Sequence, residues 1–140
     1  MLLFACILKA VGSMMAGMER MWCWRCKSEM PMLDEDEFLS VQALYSGGIK
    51  ATKEFRQKWG IALEGVPIND LFRPVRKRYE ELTGMKDCHQ NAIMHHRVSL
   101  YGPPCEQCGK PLRTPKAKLC GACIRDLSIN PCFRVKRTFQ

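Results

Sequence analysis

Four cysteines near the C-terminus constrain this chain more than any other feature. Cys105, Cys108, Cys120 and Cys123 form C-x2-C, an eleven-residue spacer, and a second C-x2-C. Tetrahedral zinc takes four thiolates, and two such knuckles joined by a short hairpin supply them without a large supporting fold. A site closed by four protein ligands leaves no position for a substrate, so the expected role of the metal is structural. The spacer Pro111–Leu119 is long enough for two short strands with a turn around Thr114, Pro115 and Lys116. Gly109, just after the second cysteine, permits the tight turn that aims backbone N–H groups at sulfur.

This arrangement resembles the zinc-ribbon class over about residues 103–125, departing from it at Ile124, where a glycine often follows the last cysteine. The longer stretch Asn91-Ala92-Ile93-Met94-His95-His96-Arg97-Val98-Ser99-Leu100-Tyr101-Gly102-Pro103-Pro104-Cys105, together with the N-terminal Cys23-Trp24-Arg25-Cys26, looks like a family of uncharacterised small bacterial proteins over about residues 21–123. The resemblance implies this architecture and a bacterial origin, and it brings no activity with it.

Cys23 and Cys26 form a third knuckle flanked by Trp22 and Trp24. One pair cannot saturate zinc, so a second site needs partners from Cys88, His89, His95 or His96. The neighbouring histidines 95 and 96 do not both reach one ion without a bend, and each also reads as an ordinary hydrogen-bonded histidine. A redox alternative exists. Trp22, Cys23, Cys26, Lys27 and Pro31 match the spacing of the thioredoxin active-site stretch, but that chemistry needs a strand-to-helix junction whose helix N-terminus lowers the first thiol pKa. Asn91, His95 and His96 beside paired knuckles resemble His-Asn-His nucleases, although both histidines precede the ribbon and the order does not fit.

Nine cysteines in 140 residues would suit a disulfide scaffold, but the count is odd and six of them sit in C-x2-C pairs. Metal in a reducing cytoplasm is the better expectation. The net charge of +8 is concentrated: residues 97–140 carry nine basic and two acidic side chains, a net of +7. Four thiolates and one zinc would lower that to about +5. Lys110, Arg113, Lys116 and Lys118 on the ribbon are candidate polyanion contacts, with Arg125, Arg134, Lys136 and Arg137 beyond. Phosphate contacts of this kind carry no sequence code, and few aromatic residues interleave them in the sequence. The expected partner is a protein or a nucleic acid. No Gly-rich phosphate loop, Ser-His-Asp set or paired-carboxylate site is apparent. The expectation is a non-enzymatic zinc-binding interaction module, with thiol–disulfide exchange at Cys23 and Cys26 as the alternative.

The expected fold is small and α+β, with a mainly helical middle segment and a C-terminal zinc-ribbon hairpin. Residues 1–20 read as a mis-annotated or disordered start. The apolar run there is broken by Lys9, is shorter than the roughly 20 residues a membrane span needs, and lacks the basic lead of a secretory signal. No membrane association is expected. Residues 21–33 hold the first knuckle, 34–96 the helices, 97–125 the ribbon and 126–140 a basic tail. Asp34 and Glu37 make a capping box for a helix carrying Phe38, Val41, Leu44 and Tyr45, which Gly47-Gly48 should end. A second helix is predicted over Ile49–Trp59, stopped by Gly60. A third spans about 70–83, capped by Asn69 and stopped by Gly84, with Pro74 either in its first turn or kinking it. Its basic cluster, Arg73, Arg76, Lys77 and Arg78, reads as a solvated face balanced by Glu80 and Glu81.

Overall fold

The computed structural model describes residues 19–123. The expectations for the chain start, for Ile124 and Arg125, and for the basic tail lie outside the described residues. Two short antiparallel strands open the fold, β1 (Arg20–Cys23) and β2 (Ser28–Pro31), paired from Arg20 with Pro31 to Cys23 with Ser28. The first knuckle is the turn of this hairpin. Four helices follow: α1 (Glu35–Trp59), α2 (Ile68–Leu71), α3 (Arg73–Thr83) and α4 (Gln90–Ile93). The architecture is α+β. Among the described residues no helix is long and apolar enough to cross a membrane.

Helix α1 starts as its sequence predicts. The Asp34 carboxylate accepts the Glu37 N–H at 2.8 Å, and Glu37 returns the bond to the Asp34 N–H at 3.0 Å. The acidic run Asp34–Glu37 is therefore a helix start, where negative charge meets the positive end of the dipole. The helix does not stop at Gly47-Gly48, and the two predicted helices are one of 25 residues. Packing explains the difference. Gly48 is buried against Phe72, and a Cβ there would lie 2.8 Å from Phe72 Cε1. The glycine admits an aromatic ring against the helix backbone, which outweighs its roughly 1 kcal/mol propensity cost. Gly60 ends the helix with φ 59°, the left-handed conformation glycine adopts most easily.

The third predicted helix is also re-divided. Phe72 separates α2 from α3, Pro74 sits in the first turn of α3, and Asn69 lies inside α2 rather than capping. Gly84 closes α3 at φ 70°. The basic cluster of α3 is a paired, solvated face: Arg73 meets Asp70, and Lys77 and Arg78 reach Glu81.

Helices α1 and α3 pack across Phe38, Val41, Val75 and Tyr79, and the β-hairpin adds Met30, Met32 and Leu33. Beyond α4 the chain returns to the hairpin. Leu33 donates its N–H to the His96 carbonyl at 2.8 Å and accepts from Val98 N–H at 3.0 Å, a parallel bridge between Leu33 and Arg97. This bridge carries residue 96 back beside the first knuckle. Arg97 clamps the bridge from outside, donating to Glu35 at 2.8 Å and lying 4.6 Å over the Phe38 ring. Cys105, Leu112 and Cys120 form a separate small core. Among the described residues the ribbon spacer holds no extended strand pair. Pro104 bridges Pro111 around the Cys105–Cys108 knuckle, and three prolines within residues 103–111 explain why a longer ladder does not form.

Candidate metal centres

Two groups of side chains converge with the spacing of metal ligands. The first is the predicted set Cys105, Cys108, Cys120 and Cys123. Sulfur atoms of Cys105 and Cys123 lie 3.6 Å apart, and those of Cys108 and Cys120 lie 3.5 Å apart. A disulfide needs about 2.05 Å. A tetrahedron of thiolates around one ion at about 2.3 Å has an edge of about 3.8 Å. The sulfurs thus stand at metal-sharing separations, and all four cysteines are free.

The second group is Cys23, Cys26 and His96. His96 Nε2 lies 3.3 Å from Cys26 Sγ, against the roughly 3.5 Å edge that 2.3 Å sulfur and 2.05 Å nitrogen ligands would make. The hydrogen bonds around the ring assign its tautomer. Tyr79 Oη is 2.8 Å from the Pro31 carbonyl and 2.9 Å from His96 Nδ1. The carbonyl only accepts, so the single hydroxyl proton goes to it, and Nδ1–H must donate to the tyrosine oxygen. That leaves the Nε2 lone pair facing the cysteines. Burial, with some help from His95, pulls the His96 pKa down to about 4, so the ring is neutral at pH 7, the form that ligates metal.

Of the other expected partners, Cys88 is buried, with Sγ 4.0 Å from His96 Nδ1, and burial followed by the nearby Cys26 and Cys23 pushes its thiol up to about 11. His89 is turned away: its Nδ1 accepts the Asn91 N–H and caps α4. His95 points into a cleft beside Trp24 and Arg25. Its backbone carbonyl accepts from Tyr101 Oη at 2.9 Å, and that hydroxyl also lies 3.4 Å from Cys23 Sγ. Tyr79 and Tyr101 are the residues that sequence reasoning missed. A tyrosine that serves a ligand through its hydroxyl leaves no mark in local spacing.

All three knuckles share one backbone device. The N–H groups of Arg25 and Cys26 point at Cys23 sulfur, those of Gln107 and Cys108 at Cys105, and those of Ala122 and Cys123 at Cys120. These bonds stabilise thiolate. Burial opposes them at Cys23, yet its pKa is lowered by the backbone N–H groups and by the Tyr101 hydroxyl, whose one proton is shared between the sulfur and the nearer His95 carbonyl. At Cys120 the two backbone bonds dominate and bring the thiol down to about 6. The second cysteine of the pair then resists ionising beside the first: Cys123, next to Cys120, is pushed up to about 12. A cation between them removes that conflict. In two knuckles the following residue closes the turn, Lys27 N–H onto the Cys23 carbonyl and Gly109 N–H onto the Cys105 carbonyl, both with positive φ.

The two groups are joined through tryptophan. Trp24 Nε1 donates to the Pro111 carbonyl at 2.8 Å, and the Arg113 guanidinium lies 5.1 Å over the Trp24 ring. Lys110 Nζ sits 4.0 Å over Trp22. Gly121 has no room for a side chain here, since a Cβ would meet Arg113 Nε at 2.9 Å. Of the expected polyanion contacts, Lys110 and Arg113 thus cover tryptophans of the first knuckle, while Lys116 and Lys118 are exposed. No protein family matches this chain, and no curated protein or solved structure is similar to it. Chemistry at the two cysteine groups is therefore argued from their geometry, and what that geometry supports is metal binding.

Proposed function

We propose that the chain is a non-enzymatic interaction module built around two structural zinc ions, whose basic knuckle face binds a protein or nucleic-acid partner. One ion takes Cys105, Cys108, Cys120 and Cys123. The other takes Cys23, Cys26 and His96, with Cys88 as the fourth ligand once its side chain turns toward the ion. The observation that carries the reading is the convergence of two side-chain sets, Cys105, Cys108, Cys120 and Cys123, and Cys23, Cys26 and His96, whose ligand atoms lie within 4.8 Å of one another in each set. Backbone N–H groups that lower the pKa of the first cysteine in each knuckle support it. Such bonds prepare a thiolate for a metal, and zinc favours tetrahedral sulfur and imidazole sets.

The thiol–disulfide alternative needs an exposed first thiol at a helix N-terminus. Cys23 is fully buried and is the last residue of a β-hairpin's first strand, paired with Ser28. The nuclease constellation is not brought together either, since Asn91 Oδ1 accepts from Tyr45 Oη and His96 is sealed in the core.

Elemental analysis of the natively purified protein tests the proposal. Two zinc ions per chain are expected, falling to one in Cys88→Ser or His96→Ala, with cobalt substitution giving thiolate charge-transfer bands at both sites. A chain that folds with no stoichiometric metal refutes the reading.

A further inference from the structure

A cleft of about 400 Å3 opens between the two knuckle groups, lined by Trp24, Arg25, His95, Tyr101, Arg113 and Thr114 among others. Among the described residues no carboxylate lines it. Neither guanidinium has a carboxylate or hydrogen-bond partner among the described residues, whereas Arg73, Arg78 and Arg97 are paired with Asp70, Glu81 and Glu35, and Arg76 donates to Gln90 and the Asn69 carbonyl. Arg113 Cζ lies 5.1 Å from the centre of the Trp24 ring. A guanidinium held against a ring by its charge still has N–H donors free, and a free fork of donors grips phosphate oxygens in pairs. Tyr101 is held by its bond to the His95 carbonyl, so the aromatic wall is fixed in place. Lys118 lines a neighbouring hollow that shares Arg113 and Thr114 with the cleft, and exposed Lys116 lies two residues beyond Thr114.

From this juxtaposition of unpaired guanidinium groups and fixed aromatic rings we infer that the cleft binds single-stranded nucleic acid, one nucleotide seated with its phosphate between Arg25 and Arg113 and its base against Tyr101 and Trp24. The volume falls in the range of small-ligand sites. A concave aromatic cleft with flanking cations suits an unstacked strand, and duplex DNA cannot place a base in it. The sequence hid this arrangement because Trp24 and Arg25 come from the first knuckle, Tyr101 from the stretch before Cys105 and Arg113 from the ribbon spacer. The inference rests on the proposed metal-held packing of the two knuckles and names the partner for that module.

The test uses the full metal-loaded chain and a fluorescein-labelled twelve-nucleotide oligo(dT), read by anisotropy at low salt. Binding is expected to weaken as salt rises. Arg25→Ala with Arg113→Ala should lose roughly tenfold in affinity per arginine, and the slope of log K against log salt should fall by about 1.4 for two lost contacts. Lys50→Ala with Lys77→Ala removes equal charge from α1 and α3 and should change the affinity far less. Zinc content is measured on each sample. Two ions and no binding by the wild type overturns the cleft assignment alone, whereas missing zinc overturns the module itself. Equal losses in both double variants, equal binding of duplex, or equal binding of poly-glutamate also overturns it, the last in favour of an acidic protein partner.

Discussion

The hydroxyl of Tyr79 is the most informative single group to remove. The side chain is fully buried, and its oxygen joins the Pro31 carbonyl at 2.8 Å to His96 Nδ1 at 2.9 Å. Tyr79→Phe keeps the ring and its place in the same core cluster as Val75 and Leu33. It strands one buried acceptor and one buried donor, each costing about 1–3 kcal/mol when left unpaired. Some relaxation is expected, so the metal-free protein should lose about 2–4 kcal/mol of stability. The metal-bound protein should lose more. Without an acceptor for Nδ1–H the imidazole is no longer held with Nε2 toward Cys26, and losing such a support typically weakens metal binding 10- to 100-fold, equivalent to about 1.4–2.7 kcal/mol. Denaturant unfolding with and without chelator separates the two parts, and competition with a chromophoric chelator reads the affinity directly. If stability drops equally in both forms and zinc affinity is unchanged, Tyr79 supports the core and not a ligand, and the tautomer argument fails.

Other residues give sharper contrasts in pairs. Gly48→Ala puts a methyl 2.8 Å from Phe72 and should destabilise by about 1–3 kcal/mol despite better helix propensity, whereas Gly47→Ala meets nothing within 4 Å and should stabilise by about 0.5–1 kcal/mol; equal effects in urea unfolding would contradict the packing account of the continuous helix. Trp24→Phe abandons the Pro111 carbonyl and should cost about 1–3 kcal/mol, while Trp22→Phe deletes an indole N–H that has no acceptor among the described residues and should be near neutral, a ranking that thermal melts of the two variants check. Glu35 is held near pKa 2, chiefly by its hydrogen bond from Arg97. Its folded value is depressed, so its contribution is complete above the usual carboxylate range and is lost as pH falls toward 2; Glu35→Gln should therefore show a shallower acid limb between about pH 4.5 and 2 than the wild type, and identical limbs would place the Arg97 clamp outside the stability of the fold.

The elements legible in the sequence are those whose determinants are local. The capping box at Asp34 and Glu37, the left-handed stops at Gly60 and Gly84, and the four ribbon cysteines each signal through residues a few positions apart. What escaped was set across the chain. Gly47-Gly48 carries the local pattern of a helix end, and only Phe72, 24 positions beyond Gly48, makes the glycine a packing surface. His96 was one of four candidate partners for the first knuckle, and no spacing rule selects it. The selection comes from the Leu33–Arg97 bridge, which draws one residue inward and leaves its neighbour His95 facing the cleft. The ribbon cations read as a solvated polyanion face because the tryptophans that two of them cover lie some 90 positions earlier.

This separation in sequence gives the two proposed centres different work. The Cys108–Cys120 contact spans 12 residues, but the Cys26–His96 contact spans 70 and encloses every helix of the body. Loop-closure entropy grows with the logarithm of length, so closing the longer loop costs about 1.6 kcal/mol more in a flexible chain. An ion at the second group would supply that closure in the folded state and hold the hairpin, the helices and the Leu33–Arg97 bridge in one register. An ion at the first group would order only its own hairpin, and that hairpin is fastened to the body through the Trp22 and Trp24 stacks and the Pro111 carbonyl. The basic cleft lies on this fastening. Its shape would therefore depend on both ions at once: an ion at the ribbon would set Arg113, an ion at the first knuckle would set Trp24 and Arg25, and losing either would draw Arg113 away from Trp24 and Arg25.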